Sequence, residues 1–363
     1  MSDRRFDGQL RIVGAGLLGA SIGLAMRAKG VDVILADSSP SSVTLAVDYG
    51  AGRPAAETDS PALVVVCVPP DVTAATVAAE LAAWPLALVT DVASVKLAPL
   101  QDLVELGADI SRYIGSHPMA GRERGGAVSA RADLFVGRPW VIAGHAGISY
   151  RAAAAVEDLA LDLGALPIQM DAAEHDASVA LVSHVPQVMS SLLASRLTVA
   201  TDAAIGLAGQ GLRDTTRIAS SAPELWVQIL GANSAAVAAI LTDLRADLDR
   251  VIVALDEPTA PGARRVIAEA VAAGNEGVAR IPGKHGQARH YSTITVKVND
   301  TPGELARLLT EIGEFGVNME DLRLEHSPGA QIGLAEIAVV PEAEPGLVAE
   351  LERRGWKIAG AEK

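Results

Sequence analysis

The first apolar run, Leu10 to Val13, gives way at once to a glycine-spaced stretch and then to a helical pattern of small and apolar residues reaching Lys29. A second run, Val31 to Ala36, is closed by Asp37. Short apolar runs then keep alternating with helical patterns: Ala62 to Val68, Leu86 to Thr90, Tyr113 to Gly115, Trp140 to Ala143 and Leu166 to Met170. Such alternation predicts an α/β domain with a doubly wound, mostly parallel sheet. From about residue 171 the strand signals vanish, and Ala, Leu and Val recur at helical spacing from Ala177 through Leu255, which predicts an all-helical domain. Asp256 to His290 reads as a connector with Pro258, Pro261 and Gly262 at its start and a helical piece around Arg265 to Ala273. Beyond it, Ser292 to Val298 alternates like a strand and Gly303 to Phe315 is helical. Ala330 to Val340 and Glu344 to Arg354 supply another strand and helix, so a β-α-β-β-α-β, ferredoxin-like module is expected. The expected boundaries are 1–170, 171–287 and 288–363.

The stretch after the first run is Gly14-Ala15-Gly16-Leu17-Leu18-Gly19. One glycine makes the tight turn, the next lets backbone approach a pyrophosphate, and the third lets helix pack on strand. The helix then offers the free N–H groups of its first turn, at Leu17 and Leu18, to phosphate oxygens. Asp37 stands where a carboxylate accepts hydrogen bonds from the adenosine ribose and repels a 2′-phosphate, which favours NAD over NADP. The competing reading of Asp37 is a turn residue before Ser38-Ser39-Pro40. Residues 1–170 are therefore expected to be a Rossmann-like NAD-binding domain, with redox chemistry as the first hypothesis.

Composition narrows the choice. The chain has 363 residues, 50% of them hydrophobic and only 3% aromatic, so alanine-rich helices are expected to supply much of the packing. The long apolar run Ala62 to Val68 stops at Pro69-Pro70, far short of the roughly 20 residues of a spanning helix. Met1 to Asp7 does not read as a signal peptide either, and a soluble cytoplasmic protein is expected. The single cysteine, Cys67, excludes intramolecular disulfides and reads as inert core. A net charge of −14 disfavours nucleic acid as a partner, while a small anionic substrate stays open where arginines are focused. The basic cluster Arg280, Lys284, His285, Arg289 and His290 reads as a solvated linker face.

Ligands of open α/β sheets bind outside the C-terminal strand ends. Four such ends are informative: Gly14 to Gly19, Val68 with Pro69-Pro70, Asp91 to Lys96, and Gly115 to Gly126. His117 is the candidate for proton chemistry, because an imidazole accepts a hydroxyl proton near neutral pH while hydride leaves the same carbon; Ser94 follows the neighbouring strand. Arg213 and Arg217 stand one helical turn apart, an arrangement suited to an anion, although Asp214 is placed to neutralise Arg217. His175 and His184 show no metal-ligand spacing, and no metal is expected.

Taken together these motifs resemble the prephenate/arogenate dehydrogenase family of tyrosine biosynthesis. The resemblance runs from Gly14-Ala-Gly-Leu-Leu-Gly through Thr90-Asp-Val-Ala-Ser-Val-Lys96, Ser116-His-Pro-Met-Ala-Gly121, His175-Asp176 and Ser183-His184-Val-Pro186 to Arg213-Asp-Thr-Thr-Arg-Ile-Ala219 and Trp226. It implies NAD-dependent oxidative decarboxylation of a cyclohexadienol, with His117 polarising the ring hydroxyl, Ser94 orienting it and Arg217 binding a substrate carboxylate. Glu123 matches a position that helps gate or organise the pocket, Trp226 one near the substrate, and Arg213 and His184 belong to motifs on the substrate side. Asp300-Thr-Pro-Gly-Glu-Leu305 and Gly316-Val-Asn318 resemble an ACT domain, which implies an amino-acid effector, tyrosine or phenylalanine, near Asp300, Gly303 and Asn318. A long helical segment after such a sheet domain also suggests a homodimer.

One departure matters. Many prephenate-using members carry a second histidine where this chain has Gln187, and a neutral amide offers no cationic contact, so arogenate is the alternative substrate. A β-hydroxyacid dehydrogenase would need a catalytic lysine that Arg196 to Arg250 lacks, and a non-catalytic sensor sits badly with an intact Ser94 and His117.

Overall fold

Near-continuous Val, Ile and Leu runs suit strands that are covered on both faces, and the computed structural model places them so. It describes residues 4–121, 125–146, 148, 150–281, 291–326 and 332–359. Eight strands form the first sheet: β1 (Gln9–Val13), β2 (Val33–Ala36), β3 (Arg53–Pro54), β4 (Pro61–Val66), β5 (Leu88–Asp91), β6 (Tyr113–Pro118), β7 (Pro139–Gly144) and β8 (Leu166–Asp171). Their order is β3-β2-β1-β4-β5-β6-β7-β8. The pairs from β3 to β6 are parallel, β7 runs antiparallel to β6, and β8 is parallel to β7. Between them lie α1 (Leu17–Ala28), α2 (Pro40–Asp48), α3 (Pro70–Ala83), α4 (Leu97–Glu105) and α5 (Tyr150–Asp162).

Successive strand residues point to opposite faces, and two cores result. Leu10, Ile12, Leu63 and Val65 pack on one side with Met26 and Trp140. Val13, Val64 and Val66 pack on the other with Val77 and Leu81. The strand order reverses between β1 and β4, which opens the crevice of a doubly wound sheet.

The first sheet differs from expectation in two places. The two-residue β3 carries no sequence signal of its own and exists through its pairing with β2. The strand expected to end at Gly115 continues through Ser116, His117 and Pro118, because its antiparallel pairing with β7 matches His117 to Val141 and Pro118 to Trp140. His117 is thus held by a strand and not by a loop.

Helices follow: α6 (Ala172–Val179), a π turn at Ala180–His184, α7 (Val185–Ser195), α8 (Asp202–Ile205), α9 (Gln210–Thr216), α10 (Pro223–Ala232), α11 (Ser234–Asp256) and α12 (Ala263–Ala279). The connector helix is longer than its sequence core of Arg265 to Ala273 suggested, running from Ala263 through Gly274 and Gly277 to Ala279. The helical run Ala172–Val199 has the length and apolarity of a membrane span, a feature that run-length reading misses because polar residues interrupt it. Its buried side nevertheless carries His175, Asp176, His184 and Gln187.

The chain divides into two compact units, Met1–Ser191 with Ile218–Asp243, and Leu192–Arg217 with Leu244–Lys363. In the first, the helices contribute a small core of Ala180, Val185 and Val237. The second contains β9 (Ser292–Asn299), α13 (Glu304–Glu314), β10 (Asp321–His326), β11 (Ile332–Val339), α14 (Glu344–Arg353) and β12 (Lys357–Ala359). These strands form a small antiparallel sheet in the order β10-β11-β9-β12, over a core including Val296, Leu308, Ile337 and Leu347. Trp356 closes that core, its indole N–H donating to Glu311 at 2.7 Å beneath the guanidinium of Arg307.

Candidate active site

The glycine loop is built as its spacing requires. Gly14 has φ +104°, and a Cβ there would collide with the carbonyl oxygen of Cys67; one on Gly19 would collide with the carbonyl of Gly14. Around Gly16, by contrast, a Cβ would meet nothing within 4 Å. Gly16 caps α1 without a side chain, so the N–H groups of Leu17, Leu18 and Gly19 at the start of the helix have no intrahelical acceptor. Asp37 accepts from Ala15 N–H at 2.7 Å with one oxygen and from Ser39 N–H at 2.8 Å with the other. It is therefore both a turn residue and a clamp on the loop, and each oxygen keeps a lone pair for a ribose hydroxyl. Val68 is half-buried at the next strand end and Pro69 caps α3. Open space, free N–H donors and an acceptor carboxylate fit a dinucleotide. Cys67 is unreactive there, since burial pushes its thiol far above the ordinary range.

On β6, three strands from β1 in the same sheet, a chain of hydrogen bonds converges on His117. His117 Nδ1 lies 2.9 Å from His175 Nε2, and His175 Nδ1 lies 2.7 Å from Asp176 Oδ1. His175 and Asp176 are 0% and 5% exposed. Asp176 also accepts from the backbone N–H groups of Lys96 at 2.8 Å and Leu97 at 3.0 Å. The physical cause is local: lysine cannot cap a helix, so the N-terminus of α4 is capped by a carboxylate from α6. The Lys96 ammonium turns inward to an ion pair with Asp91 and donates to the carbonyl of Ser116 at 2.7 Å. Tyr113 donates to the other oxygen of Asp91 at 2.7 Å, and Ala93 N–H to the first at 2.8 Å. Lys96 is 1% exposed, and burial lowers its affinity for a proton while Asp91 opposes the shift.

Burial, with the charges of His175, Lys96 and His184 added, holds His117 well below the usual histidine range. It is neutral at physiological pH and able to accept a proton. His184 is pulled down to about 4, chiefly by burial. Along an uninterrupted α-helix His175 and His184 would be about two and a half turns apart, on opposite sides. The π turn takes in one extra residue and swings His184 back by roughly 100°. There Asn233 Nδ2 donates to His184 Nδ1 at 3.1 Å and to the carbonyl of Asp176 at 2.8 Å. The Trp226 ring stands edge-on to His184 at 6.1 Å.

The remaining expected residues are distributed unevenly. Ser94 is half-buried in the turn after β5, on the strand next to that of His117, and makes no hydrogen bond to another described residue. Gln187 is buried, its amide donating to Ser191 at 3.3 Å. Arg213 and Arg217 are exposed and lack an ion-pair partner among the described residues; the expected pairing of Arg217 with Asp214 is absent, because Gln210 holds Asp214 at 2.8 Å. Glu123 and, in the basic connector, Lys284, His285, Arg289 and His290 lie outside the described residues. Asp300 lines a cavity of about 190 Å³ with Val298, Asn299, Thr301, Leu305, Leu324 and Gly333. Gly303 and Asn318 are not part of that lining; Gly303 caps α13 at φ +94° and Asn318 donates to Glu320 at 3.4 Å.

Sequence reasoning assigned no chemical role to His175, Asp176, Lys96 or Asn233. The His175-Asp176 pair was visible within a motif, but nothing in its spacing points to a partner as distant along the chain as His117.

Comparison with known proteins adds a family. The nucleotide-binding domain of prephenate dehydrogenase matches residues 22–168, and the dimerization domain of prephenate dehydrogenase matches residues 171–269. The chain is 34% identical to a probable prephenate dehydrogenase, NovF, of Streptomyces niveus over 95% of its own length and 98% of the relative. Among solved structures it is similar to Synechocystis arogenate dehydrogenase, at 28% identity with a TM-score of 0.61, covering 74% of this chain and 100% of that one. The fold also matches prephenate dehydrogenase from A. aeolicus in complex with hydroxyphenyl propionate and NAD+, at 24% identity and a TM-score of 0.65, covering 76% and 100%.

Proposed function

The chain belongs to the prephenate dehydrogenase family, and we propose that it catalyses the NAD-dependent oxidative decarboxylation of prephenate to 4-hydroxyphenylpyruvate as a cytoplasmic homodimer. The observation that carries the reading is His117 on β6, neutral and engaged through Nδ1, with its other ring nitrogen free of partners among the described residues. NAD, held by the glycine loop and Asp37, would supply the hydride acceptor facing the hydroxyl-bearing ring carbon. His117 accepts a hydrogen bond from that hydroxyl, which raises electron density on the oxygen as hydride departs. The bond to the ring carboxylate breaks, carbon dioxide leaves, and its electron pair completes the aromatic ring. The phenol keeps its proton, so the reaction releases none. Ser94 orients the hydroxyl, and Arg217, with Arg213 one turn away, holds a substrate carboxylate. Glu123 and Trp226 shape the pocket, and His184 supports its side-chain end.

Residues 1–170 then bind NAD through Gly14, Gly16, Leu17, Leu18, Gly19, Asp37, Val68 and Pro69, and residues 171–287 bind substrate and the second copy. Initial rates of nicotinamide reduction with prephenate test the reading; no turnover overturns it. A second substrate has its own support. Gln187 is buried and neutral, so arogenate, whose side-chain end carries an ammonium group, belongs in the same assay, and a higher kcat/KM for it reverses the assignment.

We also propose that residues 288–363 are an ACT-like module that senses tyrosine or phenylalanine, with Asp300 at the cavity and Gly303 and Asn318 nearby. The support is the β-α-β-β-α-β order and a cavity beside the first strand-to-helix loop. Deleting 288–363 should leave turnover intact and abolish inhibition by the amino acid; equal inhibition of both proteins places the inhibitor at the active site instead.

A further inference from the structure

The reaction proposed above demands a particular form of His117. Only a ring nitrogen bearing a lone pair accepts a hydrogen bond from the substrate hydroxyl, and a neutral imidazole has one such nitrogen. Which one it is depends on what the other nitrogen meets.

We propose that His175 and Asp176 are positioning residues that keep the proton of His117 on Nδ1 and so leave Nε2 as the acceptor. The geometry fixes the direction of each bond. Asp176 accepts two backbone N–H bonds at the start of α4, and a carboxylate oxygen is an acceptor only. The contact at 2.7 Å therefore requires a hydrogen on His175 Nδ1. Neutral His175 then has its lone pair on Nε2, and the contact at 2.9 Å requires a hydrogen on His117 Nδ1. Charging His175 instead would place a second cation in a buried cluster that already holds the Lys96 ammonium. It would also reverse the bond to His117 and put the hydrogen on Nε2, facing the substrate hydroxyl with a donor.

The pair is not an exit for protons. Because the phenol retains its hydrogen, nothing has to leave His117, and His175 has only to hold one tautomer and one ring orientation. Asn233 does the same for His184: by donating to Nδ1, it leaves the hydrogen of that ring on Nε2.

The inference rests on the reading of His117 as acceptor, but its first test does not require turnover. Nitrogen-15 NMR of the full-length protein with labelled histidine, assigned with His117→Gln and His175→Gln, reports which ring nitrogen is protonated. Hydrogen on Nδ1 of both His117 and His175 is expected. Hydrogen on Nε2 of His117 overturns the inference even if prephenate is turned over. Kinetics supply the second arm. In His175→Leu, kcat should fall by about a hundredfold with KM and NAD affinity nearly unchanged. In His175→Gln, whose amide oxygen still accepts from His117 Nδ1, part of the rate should return. Equal losses in both variants assign His175 to packing alone and overturn the inference, provided both retain the wild-type melting temperature.

Discussion

The sheet and the helical segment that follows it are equally apolar in sequence and opposite in finish. In the sheet, Leu63, Val64 and Val65 are 0% exposed and each face has its own core. In the helices, Leu181, Val182, Leu192 and Val227 are 60%, 65%, 57% and 71% exposed, and the first unit's helical core comes down to Ala180, Val185 and Val237. A parallel sheet is satisfied by its own chain's helices. An alanine-rich helix with large side chains left outside is half of something, which agrees with the match of residues 171–269 to a dimerization domain. On the proposed reading, the finished region carries His117, and the helical one carries His175 and Asp176, which are hydrogen-bonded to it in series.

The sharpest way to break that comparison is at the anchored end. His117→Ala should lower kcat by about 10²-fold or more and leave NAD affinity and melting temperature nearly intact, checked by steady-state rates and a binding titration. Comparable turnover in the variant would remove the sheet from the chemistry. On the helical side, Val182→Glu with Leu192→Glu should convert the proposed dimer to monomer by analytical ultracentrifugation, whereas Leu86→Glu, 90% exposed just before β5, should not change the mass. A third variant separates binding from chemistry: Arg217→Ala should raise KM by about tenfold with little change in kcat, since a guanidinium on a carboxylate is felt in ground and transition states alike.

The smallest effect is in pH. The folded-state affinities of His117 and His184 for protons are below that of an unfolded histidine, so the unfolded chain binds more protons in acid. Stability is fully present above about pH 6.5, the unfolded value, and is lost as pH falls toward about 4. Melting temperatures across that window should decline, and His184→Gln should flatten the decline.

What was legible follows from where each signal resides. Periodicity within a run finds β1, β4 and the helices, and glycine spacing finds the loop before α1, because these are local facts. The extension of β6 through Pro118 was not legible, since it depends on pairing with β7. His117 could be chosen from its place after a strand and Ser94 from the strand beside it. His175 and Asp176 could not be given their roles: adjacent residues on a helix carry no period, and their partners, His117 and the first N–H groups of α4, are remote in sequence. Lys96 stood in the strand-end stretch Asp91 to Lys96, but its inward ion pair is not legible until Asp91, Ser116 and Tyr113 are assembled around it. Arg217 is the reverse case, chosen by resemblance and left exposed by the single chain.

The π turn at Ala180–His184 makes chain length, rather than side-chain chemistry, the variable that sets the site. A helix is a clock advancing roughly 100° per residue, and one added residue retards every later position against the earlier ones. Leu181 and Val182 lie outward within the turn while His184 and Gln187 emerge inward from it. A chain one residue shorter there could retain every side chain named above and still present Gln187 on the wrong side. Phase, in this segment, is as much an inherited trait as any histidine.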